Sequence, residues 1–275
     1  MRSGTATNGD VQIHYDVFGD ASDPTLLLVN GLGSQCINYK EAWCEMFAAE
    51  GLQVARYDNR DVGLSSHLPG VAYTCSDMAN DGMAVLDALG VRQAHVMGLS
   101  MGGMIVQTMA IEHPDRLLTM TSVMSTTGEA EYRMSTPRAF ELLTAPGATS
   151  REEYLDQWVA GLREWGSPEF ADEARWRADA ALAYDRCFDP AGVGRQYQAV
   201  GASGSREEGL KSVTVPTLVM HGDKDTLIFP IGGQRTAELI PGARFELIEG
   251  MGHDYPPQLW RPWVDLVVGH IRAHS

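Results

Sequence analysis

Continuous apolar runs separated by amphipathic stretches of helical length predict an α/β protein: a mostly parallel sheet flanked by helices, with a helical segment inserted late in the chain. Three observations carry that expectation. Runs such as Thr25-Leu26-Leu27-Leu28-Val29 are apolar without alternation, which suits strands buried on both faces of a sheet. The stretches at 39–50, 75–89 and 101–112 have the length and period of helices. The alternation stops near Ser125 and resumes near Val215.

Taken in order, Val11 to Phe18 alternates apolar and polar residues, as an edge strand with one solvated face should, and Gly19-Asp20 begins the turn that ends it. Buried strands follow at 25–29, 52–57, 94–97, 117–123 and 216–220, and a further run, Arg244 to Ile248, precedes the last glycine-rich loop. Residues 1–125 and 212–275 are therefore expected to form the core domain, and residues 126–211 a helical cap. Within the cap, Thr149-Ser150-Arg151-Glu152-Glu153 offers a serine N-cap followed by acids, and Ser167-Pro168-Glu169 puts proline in a first turn. Phe140, Tyr154, Trp158, Trp165, Trp176 and Tyr184 concentrate there. Aromatic residues at helical spacing more often pack a core than touch a ligand, yet their density in an inserted layer points to an apolar substrate chamber. Gly201 to Ser205 is the most linker-like stretch.

Composition removes several function classes. The chain has 275 residues, 44% of them hydrophobic, enough for one large core with an insertion. A formal charge of −15 disfavours phosphate backbones and anionic lipid, so no nucleic-acid partner is expected. Cys36, Cys44, Cys75 and Cys187 have neither paired C-x-x-C spacing nor histidines at zinc-finger distances, so they read as free thiols and no metal is expected. The first ten residues lack an apolar signal region, and no run approaches the roughly 20 apolar residues of a membrane span. A soluble cytoplasmic protein is the expectation.

The chemistry concentrates at Gly98-Leu99-Ser100-Met101-Gly102, placed between the run Ala94 to Met97 and the helix-like run Met104 to Ala110. A serine on a sharp strand-to-helix turn is strained and exposed, and glycines two residues to either side leave the turn room. Ser100 is thus the candidate nucleophile. A serine hydroxyl needs a base, and the base an orienting acid. On such a sheet these partners follow in the order Ser, Asp or Glu, His. Of eight histidines, only His253 follows a late strand in a glycine-flanked loop, Glu249-Gly250-Met251-Gly252-His253. His14, His67, His95, His113, His270 and His274 lack that setting, and His221 is expected to pack beneath the acidic pair of its own loop. Asp225 is preferred over Asp223 as the acid because it lies deeper in the loop after Met220, and Glu129 is the outside candidate. An oxyanion hole would take the N–H of Met101 and, from the Asn30-Gly31-Leu32-Gly33 loop, that of Leu32.

Together Asn30-Gly31-Leu32-Gly33, the segment from Arg56 to Ser65, Gly98-Leu99-Ser100-Met101-Gly102-Gly103, Gly222-Asp223-Lys224-Asp225 and Gly250-Met251-Gly252-His253 resemble the α/β-hydrolase fold family. The resemblance spans the chain outside the cap and is greatest to small-ester carboxylesterases of the aclacinomycin methylesterase and LipG-like type. It implies Ser100 as nucleophile, His253 as base, Asp225 as acid, backbone donors at Leu32 and Met101, a small-molecule ester as substrate, and no cofactor. Two positions depart from many relatives: Asn30 stands in place of histidine, and Asp61 in place of glycine. The second puts the local turn geometry in question. A nucleophilic serine argues against epoxide hydrolysis and dehalogenation, for which this fold carries aspartate. Lactone opening, C–C bond hydrolysis and cofactor-free perhydrolysis could use the same residues, and a ligand receptor on a hydrolase scaffold is the non-catalytic alternative.

Overall fold

A computed structural model describes residues 1–132 and 134–274. The strands β1 (Arg2–Asn8), β2 (Val11–Phe18), β3 (Thr25–Val29), β4 (Gln53–Tyr57), β5 (Ala94–Leu99), β6 (Leu117–Val123), β7 (Thr217–Gly222) and β8 (Arg244–Ile248) form one sheet in the order β1-β2-β4-β3-β5-β6-β7-β8. β1 and β2 pair antiparallel, β2 joins β4 antiparallel, and β3 to β8 run parallel. Every residue of β3, β4, β5 and β7 is buried. That is why their sequences show no alternation.

Helices cover both faces. Along β3, Leu27 and Val29 pack in one core with Met78, Leu86, Ile105 and Met109, from α2 (Cys75–Ala88) and α3 (Met101–Glu112). Leu26 and Leu28 face the other core with Trp43, Phe47, Trp263 and Val267, from α1 (Glu41–Ala48) and the C-terminal helix Pro257–Arg272. The two-residue period of a strand thus feeds two separate cores. Between β6 and β7 lie α4 (Pro137–Leu143), α5 (Arg151–Trp165), α6 (Glu173–Arg186), α7 (Pro190–Ser203) and the single turn α8 (Glu207–Leu210). α9 (Pro230–Leu239) and α10, the C-terminal helix, complete the set.

Three local expectations need correction. Val11 to Phe18 is not the edge strand expected: it lies between β4 and β1, and β1, whose only buried side chain is Ala6, takes the edge, with Gly9, at φ +59°, supplying the tight turn between them. Ser167-Pro168-Glu169 starts no α-helix. Ser167 is instead bound by Asp254, Pro168–Phe170 makes a 3-10 turn, and α6 begins under an Asp172 cap. Gly201 to Ser203 are the last turn of α7 rather than a linker, and the Ser203 hydroxyl accepts a hydrogen bond from the amide of Cys75 at 2.8 Å. The serine cap on α5 is as expected: Ser150 accepts from the amide of Glu153.

Asp61 resolves the turn question raised by its sequence. Its backbone takes φ +69°, a left-handed conformation that glycine adopts freely and that aspartate tolerates better than most residues. Its carboxylate accepts from Arg195 of α7 at 2.6 and 3.0 Å, from the Tyr73 hydroxyl at 2.7 Å and from the Leu68 amide at 2.7 Å. The departure from glycine therefore ties an inserted helix to the core. Asp58 does the same for α6 through Arg186, at 2.8 Å.

Candidate active site

Ser100 sits between the end of β5 and the first turn of α3, at φ 56° and ψ −116°. Such a conformation is costly and persists only where its surroundings hold it. Here they do. The Ser100 amide donates to Val123 at 2.9 Å, and the Ser125 hydroxyl donates to the Ser100 carbonyl at 2.8 Å. A methyl group on Gly98 would stand 2.0 Å from the Gly102 carbonyl oxygen, and one on Gly102 would stand 2.0 Å from that of Val29. Both glycines are fixed by contact with backbone. Met101 opens α3, so its N–H is one of the helix's unpaired amides. A methyl on Gly31 would lie 3.3 Å from Ser100 Cβ and 3.9 Å from its hydroxyl oxygen, which sets the 30–33 loop, Leu32 included, against the serine.

Asp225 lies in the loop after β7 and His253 in the loop after β8. His253 Nδ1 and Asp225 Oδ2 are 2.6 Å apart. The other carboxylate oxygen accepts from the amides of Leu227 and Ile228, both at 2.9 Å. Burial raises the Asp225 pKa, but His253 and His221 outweigh it through charge and hydrogen bonding and hold it at about 2. An ionised carboxylate can only accept, so Nδ1 of His253 is the donor and Nε2 is left to act as a base. His221 packs beneath, as expected: its Nε2 lies 2.8 Å from the Ile228 carbonyl and 3.2 Å from Asp225 Oδ2. Both partners are acceptors, so that nitrogen carries the proton.

The rejected acids have other work. Asp223 accepts from the Gly250 amide at 2.7 Å and from Lys224 at 2.7 Å, fixing the loop that leads to His253. Glu129 is held by Arg235, with both contacts at 3.1 Å. Residues with no such role expected from the sequence also hold His253. The His253 amide donates to the Trp165 carbonyl at 2.5 Å. Asp254 accepts from the Ser167 amide at 2.8 Å and from its hydroxyl, and that hydroxyl accepts from the Gly252 amide at 2.9 Å. The end of α5 thus grips the histidine loop. Only the buried acid directly after His253 hinted at this in the sequence.

Ser100, His253, Leu32 and Met101 line one cavity of about 350 Å³, together with Trp158, Trp165 and Trp176 from the inserted helices. Tyr154 and Tyr184 instead pack on each other and on Phe188, and Phe140 is exposed. A second cavity of about 340 Å³ shares Leu32, Leu143 and Tyr197 with the first. Asp61, His67 and Asp189 cluster closely enough to hold a cation, as do His14, Cys36 and Asp58. Arg195 and Arg186 already neutralise these carboxylates, at 2.6 and 2.8 Å. Among the described residues no helix is long and apolar enough to cross a membrane.

A nucleophile elbow on a mostly parallel sheet, with a carboxylate–histidine pair on the last two strand loops, defines the class, and the chain belongs to the α/β-hydrolase fold family, whose model matches residues 24–256. Within it, the chain is 30% identical to rhodomycin D methylesterase of Streptomyces sp. strain C5, over 97% of each chain. It is 29% identical to 3-oxoadipate enol-lactonase 2 of Acinetobacter baylyi, over 89% of this chain and 88% of that one. The solved structure of the esterase RhEst1 from Rhodococcus sp. superposes with a TM-score of 0.84, covering all of both chains; at 22% identity it shows the fold alone.

Proposed function

We propose that the protein is a serine hydrolase that cleaves carboxylic esters of small or medium, largely apolar substrates through an acyl-enzyme. One observation carries the proposal: Asp225 is bound to His253 at 2.6 Å, and His253 and the strained Ser100 line one cavity. His253 Nε2 takes the proton of the Ser100 hydroxyl as its oxygen adds to the ester carbonyl. The oxyanion is met by the N–H groups of Leu32 and Met101, and Asp225 stabilises the imidazolium. His253 then returns the proton to the departing alcohol, and water, activated by the same base, releases the acid. Residues 126–211 act as the cap that sets substrate size. Such a chamber discriminates by only about 1–3 kcal/mol per methylene, so acyl-length preference is broad.

The relatives support this reading by their names, methylesterase and carboxylesterase. Lactone opening is the second reading, favoured by the likeness to an enol-lactonase; it needs the same addition to a carbonyl. Steady release of p-nitrophenol from short acyl esters tests the proposal, and Ser100→Ala, folded by circular dichroism, is expected to abolish it. Turnover retained by that variant would remove Ser100 from the mechanism. A single slow turnover with lasting occupancy would point to a receptor instead.

A further inference from the structure

The main cavity carries polar groups that the ester chemistry does not use. Arg175 of α6 lines it, and its Nη2 is buried without a hydrogen-bond partner. Trp158 on α5 and Trp176 on α6 line the same cavity, and their indole N–H groups are likewise buried and unpaired. All three are donors. A buried donor without an acceptor is costly, and an arginine offers a planar fork matched to an oxyanion rather than a flexible point charge.

The acids around Arg175 are engaged elsewhere. Asp179 is bound by Lys40 at 2.8 Å, and Asp254 accepts from Ser167. Asp172 caps the amide of Arg175 at 3.0 Å and comes no nearer than 3.9 Å to its Nε. With the Lys40–Asp179 pair neutral as a unit, Asp172 and Asp254 are the acids that face Arg175, and neither hydrogen-bonds its Nη2, which keeps unused donor capacity. We infer that the α5–α6 wall of the cavity is a carboxylate-binding subsite, with Arg175 as its charged donor and Trp158 and Trp176 as its neutral ones. Resting on the esterase reading, this names the substrate class as carboxylate-bearing esters: molecules with an apolar body, the scissile ester at one end and a free carboxylate on the acyl or the alcohol side at the other.

The test compares matched pairs that differ in one terminal group. Mono-p-nitrophenyl adipate is set against p-nitrophenyl hexanoate for charge on the acyl side, and 4-carboxybutyl butyrate against pentyl butyrate for charge on the alcohol side. In the unsubstituted enzyme, one charged member is expected to exceed its neutral partner in kcat/KM by about ten- to hundredfold, carried mainly by KM. Arg175→Met is expected to bring that ratio to about one or below, Arg175→Lys to restore part of it, and Trp158→Phe to lower it less. Neutral esters cleaved as well as both charged ones by the unsubstituted enzyme would overturn the subsite and leave the esterase reading standing. So would a preference that survives Arg175→Met. Failure to cleave any of the four would overturn the esterase reading itself.

Discussion

At the scale of single residues, the proposed chemistry rests on an electrostatic pairing that the sequence could order but not measure. Ser100, Asp225 and His253 stand out as candidates in the sequence because glycine-flanked loops at strand ends restrict the choice. His253 was the one histidine in such a loop after a late strand, and depth in the loop favoured Asp225 over Asp223. The geometry adds why: Asp223 is spent on the Gly250 amide, whereas Asp225 faces the imidazole. Asp225→Asn keeps the acceptor for the Leu227 and Ile228 amides but no longer selects the tautomer with a free Nε2, so kcat is expected to fall by about 10⁴-fold, and the melting temperature to drop at neutral pH with the loss of the ionised carboxylate. Steady-state kinetics alongside a thermal melt checks both halves. Ser167 was not legible as a support for the base, because its sequence context, Ser-Pro-Glu, reads as a helix start. Ser167→Ala leaves the Gly252 amide and one carboxylate oxygen of Asp254 short of partners, at a cost of about 1–3 kcal/mol. It is expected to lower kcat more than it raises KM, since it loosens the base rather than the binding wall.

At the scale of elements, the strands buried on both faces announced themselves, and β1 did not. Arg2–Asn8 buries only Ala6, so it carries no apolar signal and is held by backbone pairing to β2 and by the Asn8 side chain, which donates to Asp81 at 2.9 Å. The inserted helices were legible as helices, but their anchorage was not. It depends on pairs distant in sequence, Asp61–Arg195 and Asp58–Arg186. Asp61→Ala removes one such pair and places a methyl-bearing residue at φ +69°, so a loss of about 3–5 kcal/mol and a melting-temperature drop of about 10 °C are expected. Calorimetry on the variant checks this. Gly102→Ala forces a methyl to 2.0 Å from the Val29 carbonyl, where no side chain can give way. The cost exceeds the about 1–3 kcal/mol of an overfilled core, and the variant is expected to lose activity and soluble yield together.

At the scale of the whole molecule, the charge of −15 sets the response to acid. Asp225 is held at about 2 against an ordinary 3.8, and Asp61 and Asp16 are also held low: burial opposes this, but arginine or histidine partners and hydrogen bonds prevail. A depressed folded-state pKa contributes stability above the unfolded value and loses it as pH falls through the folded one. Asp81 and Asp254 are raised by burial and have the opposite sign, so their ionised forms cost stability near neutrality. Melting temperature is therefore expected to fall steeply as pH drops below 3.8 toward 2, which a series of thermal melts across that window checks. The proposed chemistry requires one activated serine, Ser100, beneath the helices between β6 and β7. The most direct measurement is intact-protein mass spectrometry after treatment with a p-nitrophenyl alkylphosphonate, which transfers its phosphonyl group to an activated serine as p-nitrophenolate leaves. One adduct per chain, mapped to Ser100 and absent from both Ser100→Ala and His253→Ala, is the expected result. No adduct, or an adduct that persists in Ser100→Ala, would contradict it.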